Sequence, residues 1–215
     1  MKSHPPDRSS DRSPKARLRT ALESKDPQRR SLPQYRRYVQ QHYDGLPGAL
    51  TAVTGIITGH EALARRLFGP RGFDVRGCKH ILDAGCGNGR YTRFLLRAAD
   101  PDAFVTAFDY SLQMLHRARN RLRTERATHV AADLTRLPYA DSSFDAIVCG
   151  WVLEHLPDPK PGLQELARVL RRNGRLLLMA TEDTLPGAIC SRLWHCRTYN
   201  RKEVRQVCAE CGLSW

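Results

Sequence analysis

Ile81-Leu82-Asp83-Ala84-Gly85-Cys86-Gly87-Asn88-Gly89-Arg90-Tyr91 decides the fold of this chain. A short apolar run ends in an acid, and three glycines follow at alternating positions. Thr92-Arg93-Phe94-Leu95-Leu96-Arg97 comes next, with apolar residues at helical spacing. The pattern predicts a strand, a tight glycine turn and a helix. Glycines permit positive φ and a close approach of backbone to ligand, and the free N–H groups of a helix start favour negative charge. A cofactor with a nucleoside and an acidic tail suits such a turn.

Spacing narrows the choice. The dinucleotide fingerprint is G-x-G-x-x-G. From Gly85 its third glycine falls on Arg90 and from Gly87 on Thr92, so it fails in both registers. What stands is D-x-G-x-G-x-G, which resembles motif I of the class I S-adenosylmethionine-dependent methyltransferases.

Beyond the turn, strand and helix patterns alternate, as a parallel sheet with crossover helices requires. Strands are expected at 80–83, 103–108, 128–131, 144–149 and 175–180, with helices near 90–99, 111–125 and 160–170. Ser111 supplies a hydroxyl cap to the second of these helices, and Asn173-Gly174 is expected to end the third. Asp109 lies 20 residues past Gly89 and closes the second strand, where an acid can accept from ribose hydroxyls. Asp133 closes the third. Three acids, Asp83, Asp109 and Asp133, thus share the carboxyl edge of the sheet, where such folds bind ligands.

The resemblance extends along the chain. Leu137-Pro138-Tyr139-Ala140-Asp141-Ser142-Ser143-Phe144-Asp145 is similar to the family's "LPF-x-D-x-SFD", Val152 to Asp158 to its "VLEHLPD", and Glu165 to Leu170 to its "ELARVL". It covers about residues 35–212 and is nearest the subgroup that includes ubiquinone and menaquinone biosynthesis methyltransferases. It implies an α/β, Rossmann-like, doubly wound parallel sheet. It also implies the donor S-adenosylmethionine and the product S-adenosylhomocysteine. Asp83, Gly85, Cys86, Gly87 and Gly89 would then face the methionine moiety, Asp109 with Tyr110 the ribose, and Met114, Asp133 and Leu134 the adenine. Cys149, Gly150 and Trp151 would line the channel beneath the sulfonium, and Trp151 offers a π face to a cation. His155 is the candidate catalytic base of that region, with packing as its other reading.

Class I members carry two more strands after the fifth. Here residues 200–211 read as the helix before them, so the last two strands are expected to be missing. Strand five then becomes an apolar edge, to be covered by a partner, a second copy or the chain's own arm.

Composition bounds the rest. The chain has 215 residues, 41% hydrophobic and 27% charged, with net charge +13. That length suits one α/β domain plus an arm. Residues 1–33 are expected to be a flexible basic tail, 34–76 a helical arm or lid, and 77–215 the donor-binding core. Tyr38 or Tyr43, on a helix expected near 35–43, would cover the site or pin the arm. Arg117, Arg119, Arg121, Arg123 and Arg126 concentrate positive charge, which either attracts nucleic acid or is simply a solvated face.

No apolar run approaches the roughly 18 residues of a membrane helix, and no secretory leader is visible. Seven scattered cysteines fit a reducing, cytoplasmic setting. Cys190, His195, Cys196, Cys208 and Cys211 lack a strict ligand spacing, so no metal is expected. The residues 181–200, with Leu185, Pro186, Ile189, Leu193 and Trp194, suggest an apolar lid over a small or lipid-like acceptor. An RNA or protein substrate, or a non-catalytic partner role, are the alternatives. The acceptor atom is not legible.

Overall fold

The computed structural model describes residues 31, 33, 34, 37, 41, 60–68, 72–194 and 196–215. The expected tail and the helix near Tyr35–Tyr43, with Tyr38 and Tyr43, lie outside the described residues. In chain order the elements are α1 (His60–Leu67), β1 (His80–Ala84), α2 (Arg90–Ala98), β2 (Phe104–Asp109), α3 (Leu112–Leu122), β3 (Ala127–Ala131) and β4 (Phe144–Gly150). A single 3-10 turn (Leu153–His155), α4 (Lys160–Val169), β5 (Leu170–Met179), α5 (Leu185–Trp194) and α6 (Arg201–Glu210) follow.

The sheet is parallel, ordered β3-β2-β1-β4-β5. Leu82 pairs with Thr106 on one side and Ile147 on the other, so β1 is central and almost wholly apolar, as a strand covered on both faces must be. Alternate residues go to opposite faces. Leu82, Ile147 and Cys149 pack with Leu163 and Leu166 of α4, while Ile81, Ala146 and Val148 pack with Phe94 and Leu95 of α2. The chain runs outward from β1 through β2 to β3, then returns to β4 on the other side of β1. The order reverses between β1 and β4, which opens a crevice at their carboxyl ends.

Caps and clamps fix the boundaries. Ser111 accepts from the Met114 amide at 3.1 Å and starts α3, and the Asn200 side chain accepts from the Lys202 amide at 2.8 Å and starts α6. At the opposite edge of the sheet, Asp145 accepts from the Lys79 and His80 amides, both at 2.9 Å, and pairs with Arg171. The Arg168 guanidinium donates to the Glu165 carboxylate, to Asp141 and to the carbonyls of Leu137 and Tyr139. That fork explains the acid–arginine pair in "ELARVL": it holds the loop before β4. Arg126 is likewise structural, donating to the Ala103, Leu96 and Asp100 carbonyls.

The sequence expectation fails at one junction. Asn173-Gly174 does not end α4; the helix stops at Val169 with Leu170 already extended and paired to Phe144. The next strict pair is Ala146 with Arg175, so the intervening residues bulge from β5, with Asn173 at φ 63°. Amides of Ser142 and Ser143 claim the carbonyls of Arg168 and Val169, which pulls the chain straight from helix into strand. Asn-Gly thus serves a bulge rather than a cap.

Among the described residues β5 pairs with β4 alone, and is therefore an edge. Its continuation is partly covered: the Tyr199 amide donates to the Thr181 carbonyl and the Asp183 amide to the Tyr199 carbonyl, both at 2.9 Å. No described helix is long and apolar enough to cross a membrane.

Candidate donor-binding site

The crevice is bordered by the turns after β1 and β4 and by the ends of β2 and β3. Gly85, Gly87 and Gly89 take φ of 69°, 52° and 77°, all left-handed. Their surroundings differ. A Cβ on Gly85 would lie 2.2 Å from Val152 Cγ2, and one on Gly89 3.0–3.3 Å from Leu122 and Ala118 of α3. A Cβ on Gly87 would meet nothing within 4 Å. Two glycines therefore allow packing, and the middle one faces open space. This is a cradle a ligand can enter at main-chain distance.

Each acid has a definite role. Asp109, at the end of β2, accepts from the Gly87 amide through Oδ2 and from the Ser111 amide through Oδ1, both at 2.8 Å. Asp133 accepts from the Thr135 amide at 2.9 Å and its hydroxyl at 2.8 Å, with Leu134 buried beside it. Asp83 is 1% exposed and accepts from the Thr92 hydroxyl at 2.5 Å. Burial, reinforced by the charge of Asp109, pushes its carboxyl up to about 7.

The remaining predicted residues divide in two. Tyr110 is half-buried and Gly150 stands at the end of β4, while Trp151 takes φ 56°. A bulky residue there is strained by about 1–3 kcal/mol, a cost found mostly at functional sites. Two contacts hold it: its amide donates to the Met179 carbonyl at 2.8 Å, and its ring stacks on Tyr91 with centroids 5.8 Å apart. By contrast Cys86, Met114, Cys149 and His155 are buried. The Cys86 amide donates to the Phe108 carbonyl at 2.8 Å and ties the glycine turn to β2. Met114 is packed inside α3, with the Arg117 guanidinium 3.8 Å from its sulfur. Burial pushes the Cys86 and Cys149 thiols upward, away from nucleophilic use. His155, 7% exposed, sits in the 3-10 turn beneath the rim.

Two residues of the region escaped the sequence reading. Glu154, 3% exposed, accepts from the Thr181 amide at 2.7 Å and its hydroxyl at 3.1 Å, and burial raises its pKa. Its carbonyl accepts from the Arg197 amide at 2.9 Å. It thereby latches both ends of the segment containing α5 to the turn after β4. Tyr91, second residue of α2, lies between Phe68 and Trp151. Neither has a sequence signal of its own, since each matters through partners 27 or more residues away. Among the described residues no group of three or more His, Cys, Asp or Glu is gathered for a metal. Cys190 and His195 fall outside the described side chains.

Comparison with known proteins agrees with this geometry. A family model described as a methyltransferase domain matches residues 82–178. The methyltransferase GfsG of Streptomyces halstedii is 40% identical over 112 residues, 49% of this chain and 38% of that protein. Demethylmenaquinone methyltransferase of Staphylococcus aureus is 33% identical over 129 residues, 59% of this chain and 53% of that enzyme. The chain spans about half the length of the curated relatives it matches, or less.

Among solved structures, a Haloferax volcanii methyltransferase in complex with the Trm112 activator superposes with TM-score 0.70 at 20% identity, over 81% of this chain and 75% of that one. Magnesium protoporphyrin IX methyltransferase of Synechocystis, with bound S-adenosylhomocysteine, gives 0.67 at 19% identity, over 84% and 90%. The order of the strands, the glycine turn and the matched segment agree: residues 82–178 are a methyltransferase domain of the class I family, whose cofactor is S-adenosylmethionine.

Proposed function

We propose that the chain transfers a methyl group from S-adenosylmethionine to a small-molecule or lipid-like, quinone-type acceptor. The observation that carries the acceptor class is α5. It follows β5 at the carboxyl edge of the sheet, is anchored by Glu154, and exposes Leu185 at 79% and Ile189 at 56%. An apolar lid suits an apolar acceptor better than a phosphate backbone.

The donor, when bound, supplies a methyl group already activated on a sulfonium. The chain's own work is then to position and to exclude water. Gly85, Gly87 and Gly89 present main chain without side chains in the way. Asp109 and Asp133 offer carboxylate acceptors along the β2 and β3 ends for a nucleoside. Trp151, fixed by Met179 and Tyr91, gives a rigid aromatic wall over the end of β4. A base is needed only for an acceptor that keeps its proton at neutral pH, and His155 is the candidate. Turnover unchanged in His155→Ala would leave it a packing residue.

The alternative is an RNA or protein acceptor docked on Arg119, Arg121 and Arg123, which are exposed along and just past α3. A partner role has the free edge of β5 in its favour, together with the activator-bound neighbour.

Calorimetry with S-adenosylhomocysteine, then transfer of a radiolabelled methyl group to quinols and to structured RNA at two salt concentrations, tests these readings. Binding plus label in the quinol fraction is the expected result. Label in RNA, lost steeply with salt, would replace it, and binding without any transfer would favour the partner role.

A further inference from the structure

The Tyr91 hydroxyl is enclosed in the protein and has no hydrogen-bond partner within it. The residue is 9% exposed, its ring held between Phe68 at 5.8 Å and Trp151 at 5.8 Å. A buried hydroxyl left unpaired costs about 1–3 kcal/mol, and native proteins rarely accept that without a reason. Its place in the fold suggests the reason. Tyr91 opens α2 directly after the glycine turn. Its Cε2, the carbon next to the one bearing the hydroxyl, lies 3.5 Å from where a side chain on Gly150 would begin. A side chain at Gly150 would crowd the ring, so the end of β4 is kept bare at this point.

Position along the rim identifies the ligand group. Asp109 and Asp133 stand at the ends of β2 and β3 on one side of β1, whereas Tyr91 and Trp151 stand over β4 on the other. A donor whose nucleoside lies toward the two acids must send its other end toward β4. That end is a zwitterion, an ammonium and a carboxylate on one carbon. Arg90 and Asp83, one cation and one acid, both lie within electrostatic range of the Tyr91 phenol. Burial holds that phenol protonated throughout the physiological range, so it acts as a neutral donor.

We propose that Tyr91 is a positioning residue whose hydroxyl hydrogen-bonds the amino-acid tail of the bound donor, and that its partner is supplied only by that ligand. The assignment rests on the methyltransferase reading above. It predicts opposite effects of one change. In Tyr91→Phe the ring contacts persist, so the ligand-free protein should unfold at the same or a higher temperature. Affinity for S-adenosylhomocysteine should fall about tenfold, the worth of one good hydrogen bond. Affinity for 5′-methylthioadenosine, which keeps nucleoside and thioether but lacks the amino-acid tail, should not change.

Calorimetry and thermal unfolding of the full chain, wild type and Tyr91→Phe, measure all three. Equal losses for both ligands, no loss for either, or a ligand-free variant that melts several degrees lower would each overturn the assignment. A wild-type chain that binds no S-adenosylhomocysteine would remove the methyltransferase reading and this one with it. Wild-type binding with an unaltered variant would remove only this one.

Discussion

The Gly87 amide donates to the Asp109 carboxylate at 2.8 Å, joining the turn after β1 to the end of β2. The Ser111 amide donates to the other oxygen at the same distance. One carboxylate thus shapes the turn, starts the following helix segment and keeps lone pairs for a ligand.

Replacing Asp109 should therefore affect two properties. Asp109→Ala leaves two amides without their acceptor and should cost about 1–3 kcal/mol of stability, read from urea unfolding. It should also weaken S-adenosylhomocysteine binding by more than about tenfold, read by calorimetry. Asp109→Asn keeps one carbonyl oxygen and should recover part of the stability but little of the binding. Binding unchanged in both variants would detach this acid from the donor.

Gly85 and Gly87 share a left-handed backbone but not an environment. Gly85→Ala forces a Cβ onto Val152 at 2.2 Å and should cost about 2–5 kcal/mol. Gly87→Ala meets nothing within 4 Å and should cost only the backbone strain, about 1–2 kcal/mol. Yet Gly87→Ala should still abolish donor binding, because the new methyl enters the open cradle. Denaturant titration and calorimetry on the two variants separate packing from access.

Asp83 gives the domain a pH dependence with a definite sign. Its carboxyl is near 4 in an unfolded chain and about 7 when buried. The folded state holds the proton more tightly, so this group's stabilising contribution is complete below pH 4. It declines through the window between 4 and 7 and is lost above 7. Urea midpoints measured from pH 5 to pH 8 should fall, and Asp83→Asn should flatten that fall. A slope identical in the variant would assign the dependence to other groups.

Glu154 latches the lid. Glu154→Ala removes the acceptor for the Thr181 amide and hydroxyl, and should raise hydrogen exchange across residues 181–199 by about ten- to a hundredfold. Exchange in β1 and β4 should stay slow, since their hydrogen bonds lie inside the sheet. Uniformly faster exchange would mean that Glu154 supports the whole domain rather than the lid.

Much of this protein was legible from local chemistry. Three glycines at alternate positions after an apolar run and an acid state a turn that only positive φ can make. Acids at the ends of two further strands place charge on one edge, because a parallel sheet gathers its carboxyl ends there. Periodicity also located every helix of the core to within a few residues.

Relations across long separations were not legible. Asn173-Gly174 read as a helix cap because that is its usual local use; pairing of Arg168 and Val169 with the strand-four approach turned it into a bulge. Cys86, Met114 and His155 were named as site residues, but whether a side chain faces a cleft or a core depends on what packs over it. Tyr91 and Glu154 carry no motif at all. Their roles arise because the fold brings Trp151 onto one ring and Thr181 onto one carboxylate, contacts that no stretch of sequence contains.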